Sequence, residues 1–280
     1  MQDVAVIGGG TMGTGIAYVS AMSGARVIVV ETDDARAETM RNTIEKTAAG
    51  GVRRGKLDEE QARALAGRVS RIGAVSELPQ CMDLAIETVP ERLDIKHQVL
   101  KQLAERRPRI IGTNTSALSI DTLAEVLPGP DCFLGMHFFN PVWSFKLVEL
   151  IRGQATSEDT LTTARRFVEQ IGKESLTVRD IPGFATTRLD LIASLEAMRM
   201  LESGVASAED IDRAAELAYQ HPVGPLRLSD IVGLDVRLDI ARILEKAHGE
   251  RYRPPEILIE MVARGDLGQK SGRGFFEWKG

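Results

Sequence analysis

At 280 residues, 43% hydrophobic and 27% charged, the chain has the composition of an ordinary folded globule and length for one large domain or two unequal ones. Its net charge of −5 at pH 7 excludes the basic footprint of a nucleic-acid binder or of a protein that adheres to anionic membranes. No apolar run reaches membrane-spanning length and the N-terminus enters a strand pattern without a basic leader, so the expectation is a cytoplasmic protein whose partners are small molecules.

The first predicted element is a strand at Val4-Ala5-Val6-Ile7, which runs into Gly8-Gly9-Gly10-Thr11-Met12-Gly13. Residues 12–23 then carry small and apolar side chains at helical spacing, and Gly24 supplies a stop. A second strand follows at 26–31. Strand, glycine turn, helix and strand make a βαβ unit, which requires parallel pairing and a right-handed crossover. In that context Gly8 permits a tight turn, Gly10 lets backbone approach a pyrophosphate, and Gly13 allows close helix–strand packing. Glu31, at the end of the second strand, suits the ribose hydroxyls and repels a 2′-phosphate, favouring NAD over NADP, although nearby Arg36 weakens that discrimination. A purely structural glycine turn and a solvated strand-end acid are the competing readings.

Further along, Val52-Arg53-Arg54-Gly55-Lys56 is a basic turn between two helices, either a phosphate contact or a solvated loop. Strand candidates recur at 84–86, 109–112, 133–136 and 146–150, with helical patterns between most of them, and continue the sheet. In the polar loop 113–119, Ser119 reads as a helix N-cap, which leaves Ser116 to touch a substrate or merely to form a turn. His137 ends an apolar run just before Asn140-Pro141, where strands of this fold meet the ligand crevice. Removing a hydride from an alcohol needs a group to take the hydroxyl proton, which suits a histidine. Glu149, in the next strand candidate, is able to hold one ring nitrogen while the other takes the proton. A packed core histidine and an unrelated acid are the alternative.

The character of the chain changes after Ile181-Pro182-Gly183: residues 188–202 are helical, Gly204 breaks the pattern, Ser207 caps a new helix, and helices with Pro-Gly loops continue to Leu267. The expected fold is α/β, a Rossmann-like doubly wound NAD-binding domain over 1–181 followed by a smaller all-α domain over 182–280. Cys81 and Cys132 lack metal or disulfide spacing and read as buried thiols, and no metal site is indicated. His97 and His248 read as surface residues and His221 as a turn residue. The apolar series Leu189, Ile192, Leu195, Met198 and Leu201 is either core or subunit interface.

These residues occur in an order that resembles the L-3-hydroxyacyl-CoA dehydrogenase family, the short 3-hydroxybutyryl-CoA dehydrogenases among them. The blocks are the glycine turn, Asn114-Thr115-Ser116, Gly135-Met136-His137-Phe138-Phe139-Asn140-Pro141, Lys146-Leu147-Val148-Glu149, Gly204-Val205-Ala206-Ser207, His221-Pro222-Val223-Gly224-Pro225 and Lys270-Ser271-Gly272-Arg273-Gly274-Phe275, spanning nearly the whole chain. The resemblance implies NAD-dependent oxidation of a short-chain L-3-hydroxyacyl-CoA to the 3-ketoacyl-CoA, or the reverse, in fatty acid metabolism. It makes His137 the general base, Glu149 its orienting partner and Ser116 a donor near the substrate oxygen. It implies NAD contacts from Gly8, Gly10, Thr11, Met12, Gly13, Glu31, Glu91, Lys96, Ser116 and Lys270. Acyl-CoA contacts would come from Arg54, Lys96, Ser116 and Asn140, and a homodimer would form through the helical domain. On the residues alone Glu91 and Lys96 are helix-surface charges and Lys270 a loop charge. Three positions depart from the family pattern: Thr187 replaces a catalytic asparagine, Gly50 a coenzyme A-binding lysine, and Trp143 a proline. Two alternatives stay in view: a dehydrogenase of a free hydroxy acid of the L-gulonate or carnitine type, as in relatives with altered helical domains and against which the basic loop argues, and a non-catalytic NAD-binding protein that lost activity through the change at Thr187.

Overall fold

Strand β1 (Asp3–Ile7) is apolar after its first residue, and those four side chains are buried, the pattern of a central parallel strand covered on both faces. The computed structural model describes residues 1–278, and the chain divides into one unit from Met1 to Asp180 and a second from Ile181 onward. In the first unit, α1 (Thr11–Met22), β2 (Arg26–Val30), α2 (Asp34–Arg53), α3 (Glu59–Gly67) and β3 (Val69–Ile72) follow β1. Then come β4 (Leu84–Glu87), α4 (Leu93–Arg106), β5 (Ile111–Thr113), α5 (Ile120–Ala124), β6 (Phe133–Phe138), β7 (Leu147–Arg152), α6 (Glu158–Gln170) and β8 (Glu174–Arg179). Among the described residues, eight strands form one sheet in the order β3-β2-β1-β4-β5-β6-β7-β8, parallel throughout except for the antiparallel β6/β7 pair. This is the doubly wound α/β sheet expected from the sequence.

Strand order reverses between β1 and β4, and in such sheets ligands approach the carboxyl ends of the strands at this switch point. Thr88, just past β4, ties the two strands together: its Oγ1 donates to Ile7 O at 2.9 Å and Gly8 O at 3.1 Å. Local chemistry sets the helix starts. Asp33 accepts from Arg36 N at 2.8 Å, Asp58 and Gln61 form a capping box, and Ser157 caps α6.

The second unit holds α7 (Thr186–Glu202), α8 (Ala208–Tyr219), α9 (Pro225–Val232), α10 (Leu234–His248) and α11 (Glu256–Arg264), around a core that includes Leu195, Met198, Leu226, Leu234, Leu238 and Leu258. Ser207 caps α8 through Asp210 N at 3.1 Å. The fully buried Asp230 carboxylate accepts from Phe275 N, Phe276 N and Trp278 Nε1, each at 2.9 Å, and so fastens the C-terminal tail to α9. Of the apolar series on α7, Leu195 and Met198 are core, whereas Leu189 is 71% exposed.

The cysteines are a correction. Cys81 is exposed in a turn at φ 58°, and Cys132 is half-buried with Sγ donating to Gly129 O, because both lie in turns that precede strands and not in the strands themselves. His97 and His248 also differ from the surface reading: each is half-buried, with Nε2 against the carbonyl oxygens of Thr122 and Pro182 respectively.

Candidate active site

The glycine turn has the shape its spacing predicts. Gly8 sits at φ +105°, strained for any side chain, and a Cβ at Gly13 would overlap the carbonyl oxygen of Gly8. Gly10 is the N-cap of α1 with no side-chain cap, and the space a Cβ would fill there is open. The first N–H groups of α1, with Thr11 exposed and Met12 half-buried, thus present the positive end of the helix dipole to a vacant approach. Glu31 is 6% exposed; one carboxylate oxygen accepts from Gly9 N at 2.9 Å and the other from Asp33 N at 2.9 Å, with Arg36 Nε 3.4 Å away. It is fastened to the glycine turn and is no solvated acid. Phosphate-facing amides beside an anchored carboxylate fit a dinucleotide without a 2′-phosphate.

His137 and Glu149 are directly opposed residues of β6 and β7, and opposed residues in an antiparallel pair project to the same face. Nδ1 of His137 lies 2.8 Å from Oε2 of the fully buried Glu149, and Nε2 lies 3.3 Å from the Ser116 hydroxyl. A carboxylate accepts only, so Nδ1 carries the proton of the neutral ring and Nε2 keeps a lone pair. The Phe139 ring packs against the imidazole at 4.5 Å between centroids, and Asn114 Oδ1 accepts from Phe138 N at 2.9 Å, fixing the end of β6. Asn140 is exposed two residues beyond that end. The arrangement is a positioned base with a charged partner on one side and a hydroxyl on the other.

Lys96 is another correction, since it is not a helix-surface charge. It is fully buried, with Nζ 2.8 and 2.9 Å from the two oxygens of Glu87 and 3.4 Å from Glu91. Glu91 keeps an exposed face, and its Oε1 accepts from Ser116 N at 2.9 Å, Ala117 N at 3.2 Å and Thr115 Oγ1. Sequence reasoning missed Glu87, Thr115 and Asn114 as members of this cluster. The available signal was an acid and polar residues at the carboxyl ends of β4 and β5, where ligands approach such sheets.

Arg54 is exposed just after α2, and its guanidinium lies over Gly50, where a Cβ would come within 3.2 Å of Nη1. Trp143 is 36% exposed and stands edge-on to Tyr18, 6.0 Å between centroids, so it is not a packed core aromatic. In the second unit, Thr187 occupies the first turn of α7, and Lys270 is paired with Asp235 at 2.5 and 2.6 Å. Among the described residues no group of His, Cys, Asp and Glu has the arrangement of a metal site, and no helix is long and apolar enough to cross a membrane.

Comparison with known proteins extends this geometry. The domain family described as 3-hydroxyacyl-CoA dehydrogenase, NAD binding domain, matches residues 3–181, and its C-terminal domain matches 183–278. The chain belongs to the 3-hydroxyacyl-CoA dehydrogenase family. A 3-hydroxybutyryl-CoA dehydrogenase of Bradyrhizobium diazoefficiens is 37% identical over 283 residues, covering 100% of this chain and 96% of that one. The human mitochondrial hydroxyacyl-coenzyme A dehydrogenase is 36% identical over 291 residues, covering 100% and 92%. The crystal structure of (S)-3-hydroxybutyryl-CoA dehydrogenase from Ralstonia eutropha superposes with a TM-score of 0.96 at 37% identity, covering 100% of both chains. The family resemblance read from the sequence blocks is borne out, and so is NAD as the cofactor of this dehydrogenase family.

Proposed function

We propose that this family member interconverts short-chain L-3-hydroxyacyl-CoA and 3-ketoacyl-CoA, with His137 as the general base. The observation that carries the reading is the imidazole held between Glu149 and Ser116 at the carboxyl end of β6. The names of the relatives supply the substrate class.

In the oxidative direction Nε2 of His137 takes the hydroxyl proton. The Glu149 carboxylate stabilises the imidazolium through Nδ1–H, a charge-assisted hydrogen bond in a buried setting. The Ser116 hydroxyl, already beside Nε2, bonds the same substrate oxygen and fixes which hydrogen faces the cofactor. NAD, when bound, supplies the acceptor for that hydride. Gly8, Gly10, Thr11, Met12 and Gly13 would hold its pyrophosphate, Glu31 its ribose hydroxyls, and Glu91 and Ser116 its reactive end. Arg54 and Asn140 would meet the acyl-CoA, with Arg53 and Lys56 adding exposed positive charge for its phosphates. Lys96, fully buried and 3.4 Å from Glu91, would serve the cofactor and acyl-CoA through that carboxylate. Thr187 stands in for the family asparagine with a shorter hydroxyl, and Lys270, whose ammonium is paired with Asp235, would be the tail lysine offered to the nucleotide. The reading includes a cytoplasmic homodimer formed through the second unit.

Following NADH consumption with acetoacetyl-CoA tests this. Wild-type turnover is expected, with His137→Gln lowering kcat by ~10²- to 10⁴-fold while NADH still binds. Comparable turnover in His137→Gln removes the base assignment. A silent wild type alongside an active Thr187→Asn variant would move the native substrate elsewhere.

A further inference from the structure

Glu87 is the last residue of β4 and is fully buried. Its carboxylate accepts both Lys96 contacts, Thr113 Oγ1 at 2.5 Å and Val89 N at 2.6 Å. Burial pushes this carboxyl above its ordinary value, and the Lys96 ammonium offsets only part of that rise. Lys96 also donates to Asn114 O at 3.2 Å, so one ammonium touches the ends of both β4 and β5 as well as Glu91. Glu91 in turn binds three consecutive residues, Thr115, Ser116 and Ala117. The connected path therefore runs Glu87, Lys96, Glu91, Ser116 and His137, every link within hydrogen-bond or ion-pair distance. A buried ion pair is weak evidence for stability, because a well-packed apolar pair of similar volume often serves as well. Its position at the switch point, with its third partner gripping the loop that touches the imidazole, argues for a geometric task.

We propose that Glu87 and Lys96 are positioning residues: their buried pair sets Glu91, and Glu91 holds residues 115–117 so that the Ser116 hydroxyl stays against Nε2 of His137. The inference rests on the reading of His137 as base.

The test compares wild type, Glu87→Gln, Lys96→Met and the double variant Glu87→Gln/Lys96→Met. Each single variant strands a buried charge and is expected to lose both Tm and turnover. The double variant removes both charges, so its Tm should return to within a few degrees of wild type. Its kcat should stay at least about tenfold down, with KM for acetoacetyl-CoA within about threefold, because Glu91 is still unanchored. Recovery of kcat together with Tm would mean the pair only packs, and the proposal fails. Amide hydrogen exchange without nucleotide gives a second readout that needs no turnover. Ser116 and Ala117 should exchange faster in the double variant and in Glu91→Ala, whose site is partly exposed and keeps its fold. Unchanged exchange in the double variant overturns the proposal, whatever Glu91→Ala does. A wild type silent on acyl-CoA with the exchange effect intact would sink the proposed function and leave the positioning network standing.

Discussion

Glu149 is the residue whose chemistry is most exposed to a single-atom test. Glu149→Gln keeps size and an acceptor oxygen but removes the charge opposite the ring, so an imidazolium at His137 would lose its counter-ion in a buried setting, where charge interactions are screened least. A kcat about 10²-fold lower with unchanged NADH affinity is expected from stopped-flow and binding measurements. Equal turnover would show that orientation by an amide suffices. His137, Glu149 and Ser116 were legible in the sequence as candidates, because each sits beside a strand end in a recognisable block. Lys96 and Glu87 were not. The alternation of charges around Asp94 and Lys96 looks like a solvated helix face, and nothing local announces that Glu87, nine residues away, waits inside the sheet.

At the scale of elements, the inner strands announced themselves by apolar runs, while β3 and β8 went unseen. Both are outer strands of the sheet, and sequences such as VSRI and ESLTVR mix polar residues into half-buried positions. The antiparallel turn of β7 did leave a trace, since the connection from Phe138 to Leu147 is too short for the crossover a parallel partner requires. One tie between strands makes a pH prediction. The Asp83 carboxylate, just before β4, accepts from Gln2 N at 2.6 Å and Asp3 N at 3.2 Å at the start of β1. Those backbone bonds hold its pKa below the ordinary aspartate value, more than its partial burial raises it. With the folded value depressed, its stabilisation is present above the unfolded pKa and is lost as pH falls through the folded one. Thermal melts should therefore show a smaller drop in Tm from neutral to strongly acidic pH in Asp83→Asn than in wild type. Parallel drops would remove Asp83 from the acid response.

For the whole molecule, the second unit carries apolar side chains that a lone subunit would leave in water. Leu217 and Tyr219 on α8 are 73% and 75% exposed, and Ile231 on α9 with Val236 and Ile243 on α10 are 47%, 40% and 43% exposed. Sedimentation should give twice the 30.6 kDa chain mass, and Leu217→Glu with Tyr219→Glu should shift the species toward one chain. A wild type sedimenting as a single chain at micromolar concentration would refute the dimer.

The pairing of His137 with Glu149 is a property of strand register, and that shapes how such a chain is free to diverge. The connection from residue 139 to 146 is able to exchange its side chains, as Trp143 illustrates, and even change length, without moving either member of the pair. What the pair does not tolerate is a slip of register. Moving β7 one residue along β6 would set Val148 or Leu150 opposite His137 and send the carboxylate to the far face of the sheet. Drift in this hairpin is therefore confined to its bend, and the arms inherit their spacing intact.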